Sequence, residues 1–244
     1  MSDNITPNHE KNVVENSWRH LRQFTDARIG LGRAGNSLPT KAQLAFQMDH
    51  AHAQDAVHIP LDPEALLAEL PKDFGQLHLH SQASNRATYL QRPDLGRQLS
   101  KESAQQIQEF KENNPQGFSV AIVIADGLSS TAVQSHAAKM ATMLCQKFAG
   151  KQETIAPRCV VEQARVAIGD EIGELLNAEC LVLMVGERPG LSSPDSLGIY
   201  YTFKPKVGLL DASRNCISNI RPGGLSFEEA CSKLLWLIDE SRKI

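Results

Sequence analysis

The sequence lacks the cysteine spacing and the charge excess that mark several functional classes. Its five cysteines are an odd count with no CxxC pair. This argues against a disulfide framework or a zinc site and indicates reduced thiols in a cytoplasm. The 25 basic and 28 acidic residues give a net charge of −3. Because there is no basic excess to neutralise a phosphate backbone, we expect no nucleic-acid partner.

Long apolar runs are also absent. The apolar stretch at 180–186 is far shorter than the roughly 20 residues that span a bilayer. Residues 1–24 carry charge throughout and contain no apolar signal core. We therefore predict a soluble cytoplasmic protein without a membrane span, whose first 12 or so polar residues are frayed.

The composition is that of an ordinary globular protein. Hydrophobic residues make up 41% of the 244 residues and charged residues 22%, close to average usage. The length favours one large domain, or a domain with a helical extension, and is sufficient to bury a core.

Residues 1–100 are predicted to form a helical amino-terminal arm and a connecting segment. Apolar residues recur every three or four positions over 13–29, which predicts a helix. Pro39 and Thr40 are typical of the start of a second helix. A short helix at 63–70 and a strand at 77–80 are predicted to follow.

Residues 101–244 are predicted to form an α/β domain. Apolar and β-branched runs predict four strands, of which the last is more exposed: 118–127, 158–162, 180–186 and 199–203. The strands alternate with four predicted helices: 104–112, 130–149, 169–179 and 226–243. The final helix begins with a capping box formed by Ser226 and Glu229. This alternation predicts a mostly parallel, Rossmann-like sheet flanked by helices.

Two predicted strands end in loops that are suited to a ligand. One loop is 126–131, with the sequence DGLSST, and the other is 186–190, with the sequence GERPG. Ligands of parallel sheets collect at the carboxyl ends of strands, although Asp-Gly and Pro-Gly also serve as plain turns and caps. The chain has no nucleotide-binding glycine fingerprint after a strand, no P-loop and no nucleophile elbow.

No residue stands out as a general acid, a general base, a nucleophile or a complete metal site. His78 and His80 would share one face of a strand, as two metal ligands do, but the sequence places no third ligand. Cys216 has no obvious base beside it and is typical of a small packed thiol. The absence of catalytic groups is consistent with a chain that holds a cofactor.

Seven strings, taken together, resemble one enzyme family. They are ARIGLGRAG (27–35), T-x-x-x-L-x-F-x-x-D-H (40–50), YLQRPDLGRQL (89–99), ADGLSS (125–130), RVAIGDEIGELL (165–176), LMVGERPGL (183–191) and CISNI (216–220). In this order and spacing they resemble the small subunit of ethanolamine ammonia-lyase, over about residues 16–243.

The resemblance implies an adenosylcobalamin-dependent lyase that converts ethanolamine to acetaldehyde and ammonia by a radical mechanism. It implies a larger partner subunit that holds the substrate and most catalytic residues, while the small subunit covers the cobalamin at their interface. The family needs no D-x-H-x-x-G histidine ligand, and this sequence has none. The implied location is the cytoplasm, with a bacterial microcompartment as the alternative.

The resemblance also implies three cofactor-binding residues: Val166, Glu187 and Cys216. Val166 and Glu187 lie in or beside loops that the sheet pattern already favours, whereas Cys216 rests on the resemblance alone. No catalytic and no metal-binding residue is implied on this chain. A protein of a different functional class remains as the alternative: a non-catalytic α/β module that binds another nucleotide-like ligand at the strand ends.

Overall fold

A computed structural model describes residues 12–73 and 75–243 of the chain. The first residues, predicted to be frayed, lie largely outside this range. The chain divides into two compact units between Ala53 and Gln54; we call them the amino-terminal unit and the sheet unit. Among the described residues, no helix combines the length and the apolar character needed to cross a membrane.

The predicted helix over 13–29 is wrong, because only a 3-10 helix at Ser17–Gln23 forms. The Asn16 side chain caps it by accepting a hydrogen bond from the Trp18 amide at 2.9 Å. The chain then turns back, and Val14 and Arg33 exchange two backbone hydrogen bonds. The side chains of this segment are mostly exposed, so there is no buried stripe to stabilise an α-helix.

Seven α-helices follow in the described residues, and all but α3 correspond to a predicted helix. They are α1 (Thr40–His58), α2 (Pro63–Glu69), α3 (Arg86–Gln91), α4 (Lys101–Asn113), α5 (Ser130–Gly150), α6 (Ile168–Leu175) and α7 (Phe227–Ser241). Both hydrogen bonds of the predicted capping box are present at the start of α7. The short helix α3 was not predicted.

The sheet unit contains a six-stranded sheet in the order β1-β3-β2-β4-β5-β6. The strands are β1 (Gln76–His80), β2 (Phe118–Ala125), β3 (Arg158–Glu162), β4 (Ala178–Gly186), β5 (Leu197–Phe203) and β6 (Arg214–Ile220). The first four strands in this order pair in parallel, which confirms a mostly parallel sheet within an α/β fold.

Strand β5 departs from the prediction in direction and burial. It runs antiparallel to both β4 and β6 and is mostly buried rather than exposed. The connection from β4 to β5, residues 187–196, contains no helix. A parallel return needs a crossover of about a dozen residues or more, usually with a helix, so β5 returns as a hairpin partner instead.

Two apolar cores lie on opposite faces of the sheet. Alternate residues of β4 contribute to the two cores: Val182 and Met184 belong to the first core, and Leu181 and Leu183 belong to the second. Helices α5 and α7 pack in the first core, and residues of α4 and α6 pack in the second. The apolar run of β4 is continuous because both of its faces are buried.

Strand β6 was not predicted, because its sequence carries little apolar signal. Only Ile217 and Ile220 of RNCISNI are buried, in the first core, while most of the other residues are exposed. A polar edge strand of this kind is recognised only once its partner, β5, is in place.

The close approach of two loops at Gly186 yields a stability prediction. A Cβ atom at this position would lie 1.9 Å from the Ser129 carbonyl oxygen, whereas one at Gly150 would meet no atom within 4 Å. We expect Gly186→Ala to lower the free energy of unfolding by about 1–3 kcal/mol or more. Urea unfolding of the purified chain measures this, with Gly150→Ala as the matched control.

We expect Gly150→Ala to leave the stability unchanged or slightly raised, because alanine is the better helix former. Equal stability of Gly186→Ala and Gly150→Ala would contradict the tight packing of the two loops.

Candidate functional site

The three residues implied by the resemblance lie at the carboxyl ends of strands or on an adjacent strand. Val166 lies in the loop between β3 and α6, and Glu187 directly follows β4. Cys216 lies within β6. We call residues 163–167 the Val166 loop.

All three residues lie on the second-core side of the sheet. Leu183 of this core pairs with Tyr200, which in turn pairs with Cys216, and paired residues point to the same face. Glu187 follows Leu183 by an even number of residues and so shares its side. Val166 packs against the second core, which completes the common face.

Glu187 is fixed by hydrogen bonds from two parts of the chain. Its carboxylate accepts a bond from the Ser196 hydroxyl at 2.5 Å, from the Ser218 hydroxyl at 2.6 Å and from the Asn219 amide at 3.1 Å. A carboxylate offers about four acceptor positions. The side chain is therefore held in one orientation and keeps acceptor capacity for a further donor.

Cys216 and Tyr200 form the middle of this face. Cys216 is an exposed residue, yet partial burial of its thiol against the sheet raises its pKa, and the nearby Glu187 raises it further while Tyr200 lowers it. Burial, followed by the hydrogen bond with Cys216, raises the pKa of Tyr200 to about 12. These upward shifts favour the protonated, neutral form of both groups.

The Val166 loop is held by a buried carboxylate. The two oxygens of Asp126 accept hydrogen bonds from the amides of Gln163 and Ala164, both at 2.9 Å. Arg86 lies beside this carboxylate with an Nη1–Oδ2 distance of 3.3 Å. Burial raises the pKa of Asp126 to about 6, against the lowering effects of the Ala164 amide and Arg86.

The loop after β2 makes internal structural contacts. Ser129 caps α5 by accepting a bond from the Ala132 amide at 3.1 Å, and it donates to the Pro194 carbonyl at 2.7 Å. Asp126 is 1% exposed. The side chains of Asp126 and Ser129 are therefore bonded within the chain, as the turn-and-cap interpretation of DGLSST expects.

The two histidines of β1 have different hydrogen-bond partners. His78 Nε2 lies 2.7 Å from Glu162, and His80 Nδ1 lies 2.8 Å from the Ser81 carbonyl oxygen. Within residues 12–73 and 75–243, no group of three or more His, Cys, Asp or Glu is arranged to hold a metal ion.

Sequence reasoning missed the partners that orient the site. Ser218 and Asn219 belong to the string CISNI and could have been found through it, whereas Ser196 had no sequence signal. The role of Asp126 was hidden because its amide partners follow a different strand. Such contacts depend on the strand order, which the local sequence does not specify.

Comparisons with known proteins identify relatives over nearly the whole chain. The family model of the ethanolamine ammonia-lyase light chain (EutC) matches residues 15–244. The ethanolamine ammonia-lyase small subunit of Ralstonia nicotianae is 54% identical over 230 residues, which cover 94% of this chain and 85% of the relative. The subunits of the same name from Pseudomonas fluorescens and Azotobacter vinelandii are each 54% identical, over 93% and 94% of this chain and 83% and 85% of their own lengths. The chain therefore belongs to the family of ethanolamine ammonia-lyase small subunits.

Proposed function

We propose that this chain, as a subunit of the lyase ethanolamine ammonia-lyase, covers adenosylcobalamin at its interface with the large subunit. The assembled enzyme would convert ethanolamine to acetaldehyde and ammonia, in the cytoplasm or inside a bacterial microcompartment. Val166, Glu187 and Cys216 would contact the cofactor. The observation that carries the proposal is that these three residues share one face of the sheet.

The chemistry of this face is suited to cobalamin. The cofactor is a large ring system with peripheral amides, so it needs apolar surface together with acceptors and donors held in fixed positions. Val166 offers an apolar contact, and Glu187 is an acceptor fixed by three bonds from its own chain. Cys216 and Ser218 are exposed on the same face, which leaves them accessible to a ligand.

When bound, adenosylcobalamin supplies the radical chemistry through its cobalt–carbon bond. The residues of this chain would bind and orient the cofactor and exclude water from one side of it. We propose that the substrate and the catalytic groups belong to the large subunit. The neutral thiol of Cys216 would serve as packing surface in this arrangement.

The alternative of a nucleotide-binding module has no specific support. This alternative depends on the pair of loops that follow β2 and β4. In the first loop, the Asp126 carboxylate binds the amides of Gln163 and Ala164, and the Ser129 hydroxyl donates to the Pro194 carbonyl. The ionised Asp126 carboxylate would repel a phosphate placed at this loop.

The amino-terminal unit is proposed to dock on the large subunit. Large apolar side chains of this unit are exposed, for example Trp18 at 62% and Phe24 at 76%, and no large apolar side chain of residues 12–53 is buried. Exposed apolar surface that lacks a core of its own is typical of an interaction surface. A small subunit needs such a surface for its larger partner.

The proposed division of labour predicts activity only from the assembled enzyme. We expect acetaldehyde and ammonia release from ethanolamine and adenosylcobalamin when this chain and the large subunit are both present. Either subunit alone should be inactive, because each would lack one side of the cofactor site. Turnover by the isolated chain would refute the proposal, as would full activity of the large subunit without it.

Glu187→Ala is expected to weaken cobalamin binding selectively. The KM for adenosylcobalamin should rise about tenfold or more, which corresponds to about 1.4 kcal/mol, while the KM for ethanolamine stays within about twofold. The reason is that the acceptor for the cofactor is lost while the substrate lies on the other subunit. Steady-state kinetics of the complex provide both constants.

Glu179→Ala is the matched control for this variant. Glu179 lies near the opposite end of β4 and accepts hydrogen bonds from Arg242 at 2.8 and 3.1 Å. We expect its removal to leave both KM values unchanged. Equal increases in the two KM values of Glu187→Ala would argue against Glu187 as a cofactor contact.

Deletion of residues 1–30 tests the docking role of the amino-terminal unit. The truncated chain should lose co-purification with the large subunit, because Trp18, Phe24 and their exposed apolar neighbours are removed. The double variant Trp18→Ser/Phe24→Ser is the milder test and should weaken assembly in the same direction. Unchanged assembly of both variants, measured by size-exclusion chromatography, would place the interface elsewhere.

A further inference from the structure

The Val166 loop depends on a buried side chain that is not itself on the cofactor face. Asp126 binds the amides of Gln163 and Ala164 with separate carboxylate oxygens, both at 2.9 Å. Gln163 has a φ of 53°, in the left-handed region that non-glycine residues rarely adopt. A conformation of this kind persists only when its surroundings enforce it, and the two bonds from Asp126 do so.

A second set of contacts holds the same loop from helix α3 and from the segment that follows it. The Tyr89 hydroxyl donates to the Ala164 carbonyl at 3.2 Å, and the Arg165 amide donates to the Gly96 carbonyl at 2.7 Å. The guanidinium groups of Arg86 and Arg165 lie 4.8 Å and 4.2 Å from the centre of the Tyr89 ring. The backbone groups just before Val166 are therefore bonded to partners outside the loop.

Arg86 joins these two sets of contacts. Its Nη1 atom lies 3.3 Å from Asp126 and donates to the Gly127 carbonyl at 2.8 Å, and its Nε atom donates to the Val57 carbonyl at 2.7 Å. The side chains of Arg86 and Asp126 are 12% and 1% exposed. In such a shielded pair, the charged groups are held in one geometry and not averaged over many rotamers.

The turn that begins at Asp126 also fixes the end of β4. The Leu128 amide donates to the Gly186 carbonyl at 2.9 Å, and a Cβ atom at Gly127 would lie 2.3 Å from that same oxygen. Glu187 is the next residue. One turn therefore contacts both the Val166 loop and the start of the Glu187 loop.

We infer that Asp126, with Arg86 and Tyr89, is a positioning device that sets the Val166 loop relative to Glu187 for cobalamin binding. We call these three residues the Asp126 clamp. The inference rests on the proposed function, because it assigns the clamp a role at the proposed cofactor face. None of the three residues contacts the cofactor in this assignment; they act by holding residues that do.

The physical benefit of the clamp is preorganisation. A loop that is already ordered before the cofactor binds loses little further conformational entropy on binding. Loosening the clamp should therefore reduce cofactor affinity without changing any group that touches the cofactor. It should leave ethanolamine binding unaffected, since the substrate is proposed to lie on the large subunit.

Asp126→Asn is the sharpest variant because it preserves shape. The amide keeps one acceptor oxygen but turns its NH2 group toward the other backbone amide, so one N–H of the Val166 loop loses its partner. We expect the dissociation constant of adenosylcobalamin, measured by equilibrium dialysis with the assembled complex, to rise about tenfold or more. The KM for ethanolamine should stay within about twofold.

A matched control separates positioning from general stability. Met140→Ala creates a cavity in the first core, on the opposite face of the sheet, where Met140 is fully buried. We expect this variant to lower the Tm of the complex at least as much as Asp126→Asn while leaving the cobalamin dissociation constant within about twofold. Equal weakening by the two variants would overturn the inference, because it would attribute the effect to stability alone.

If Asp126→Asn does not assemble, Arg86→Lys replaces it. Lysine keeps the positive charge but loses the fork that binds Gly127 and Val57 together, and we expect a several-fold rise in the cobalamin dissociation constant. An unchanged constant in whichever clamp variant assembles would overturn the inference. Glu187→Ala in the same assay distinguishes the two failures: weakening by Glu187→Ala alone refutes only the clamp, whereas no effect of either variant refutes the proposed function.

Discussion

The buried carboxylate of Asp126 is the constraint on which the site geometry depends. A charge in an apolar interior is costly unless hydrogen bonds and a counter-charge compensate it. Asp126 obtains this compensation from two amides of the Val166 loop and from Arg86. Because those partners come from distant parts of the sequence, satisfying one side chain joins the end of β2 to the segment after β3 and to α3.

The reversed direction of β5 gives the site its second half. Its return beside β4 without a helix allows β6 to form the outer edge of the sheet, with Cys216 and Ser218 exposed on the second-core side. Glu187 then links β4 to β6 through Ser218 and the Asn219 amide. The open face is thus built from an antiparallel extension of a parallel sheet.

The two units of the chain are stabilised differently. The sheet unit buries two apolar cores, one on each face of the sheet, and hydrophobic burial is the dominant favourable contribution to folding. In the described part of the amino-terminal unit, residues 12–53, the large apolar side chains are exposed or only partly buried. A chain of this design is consistent with a subunit that completes part of its apolar packing in an assembly.

The sequence alone determined the strands and helices with strong periodic signals. The apolar runs of β2 and β4 are read easily because both faces are buried, and the capping box of α7 is a local pattern. The resemblance of the short strings to the family led to the proposal that Val166, Glu187 and Cys216 contact the cofactor. Only the tertiary structure decided the direction of β5, the existence of β6, the failure of the helix at 13–29 and the partnership of Asp126 with the Val166 loop. These features depend on contacts between residues far apart in the chain, whose energies no local pattern records.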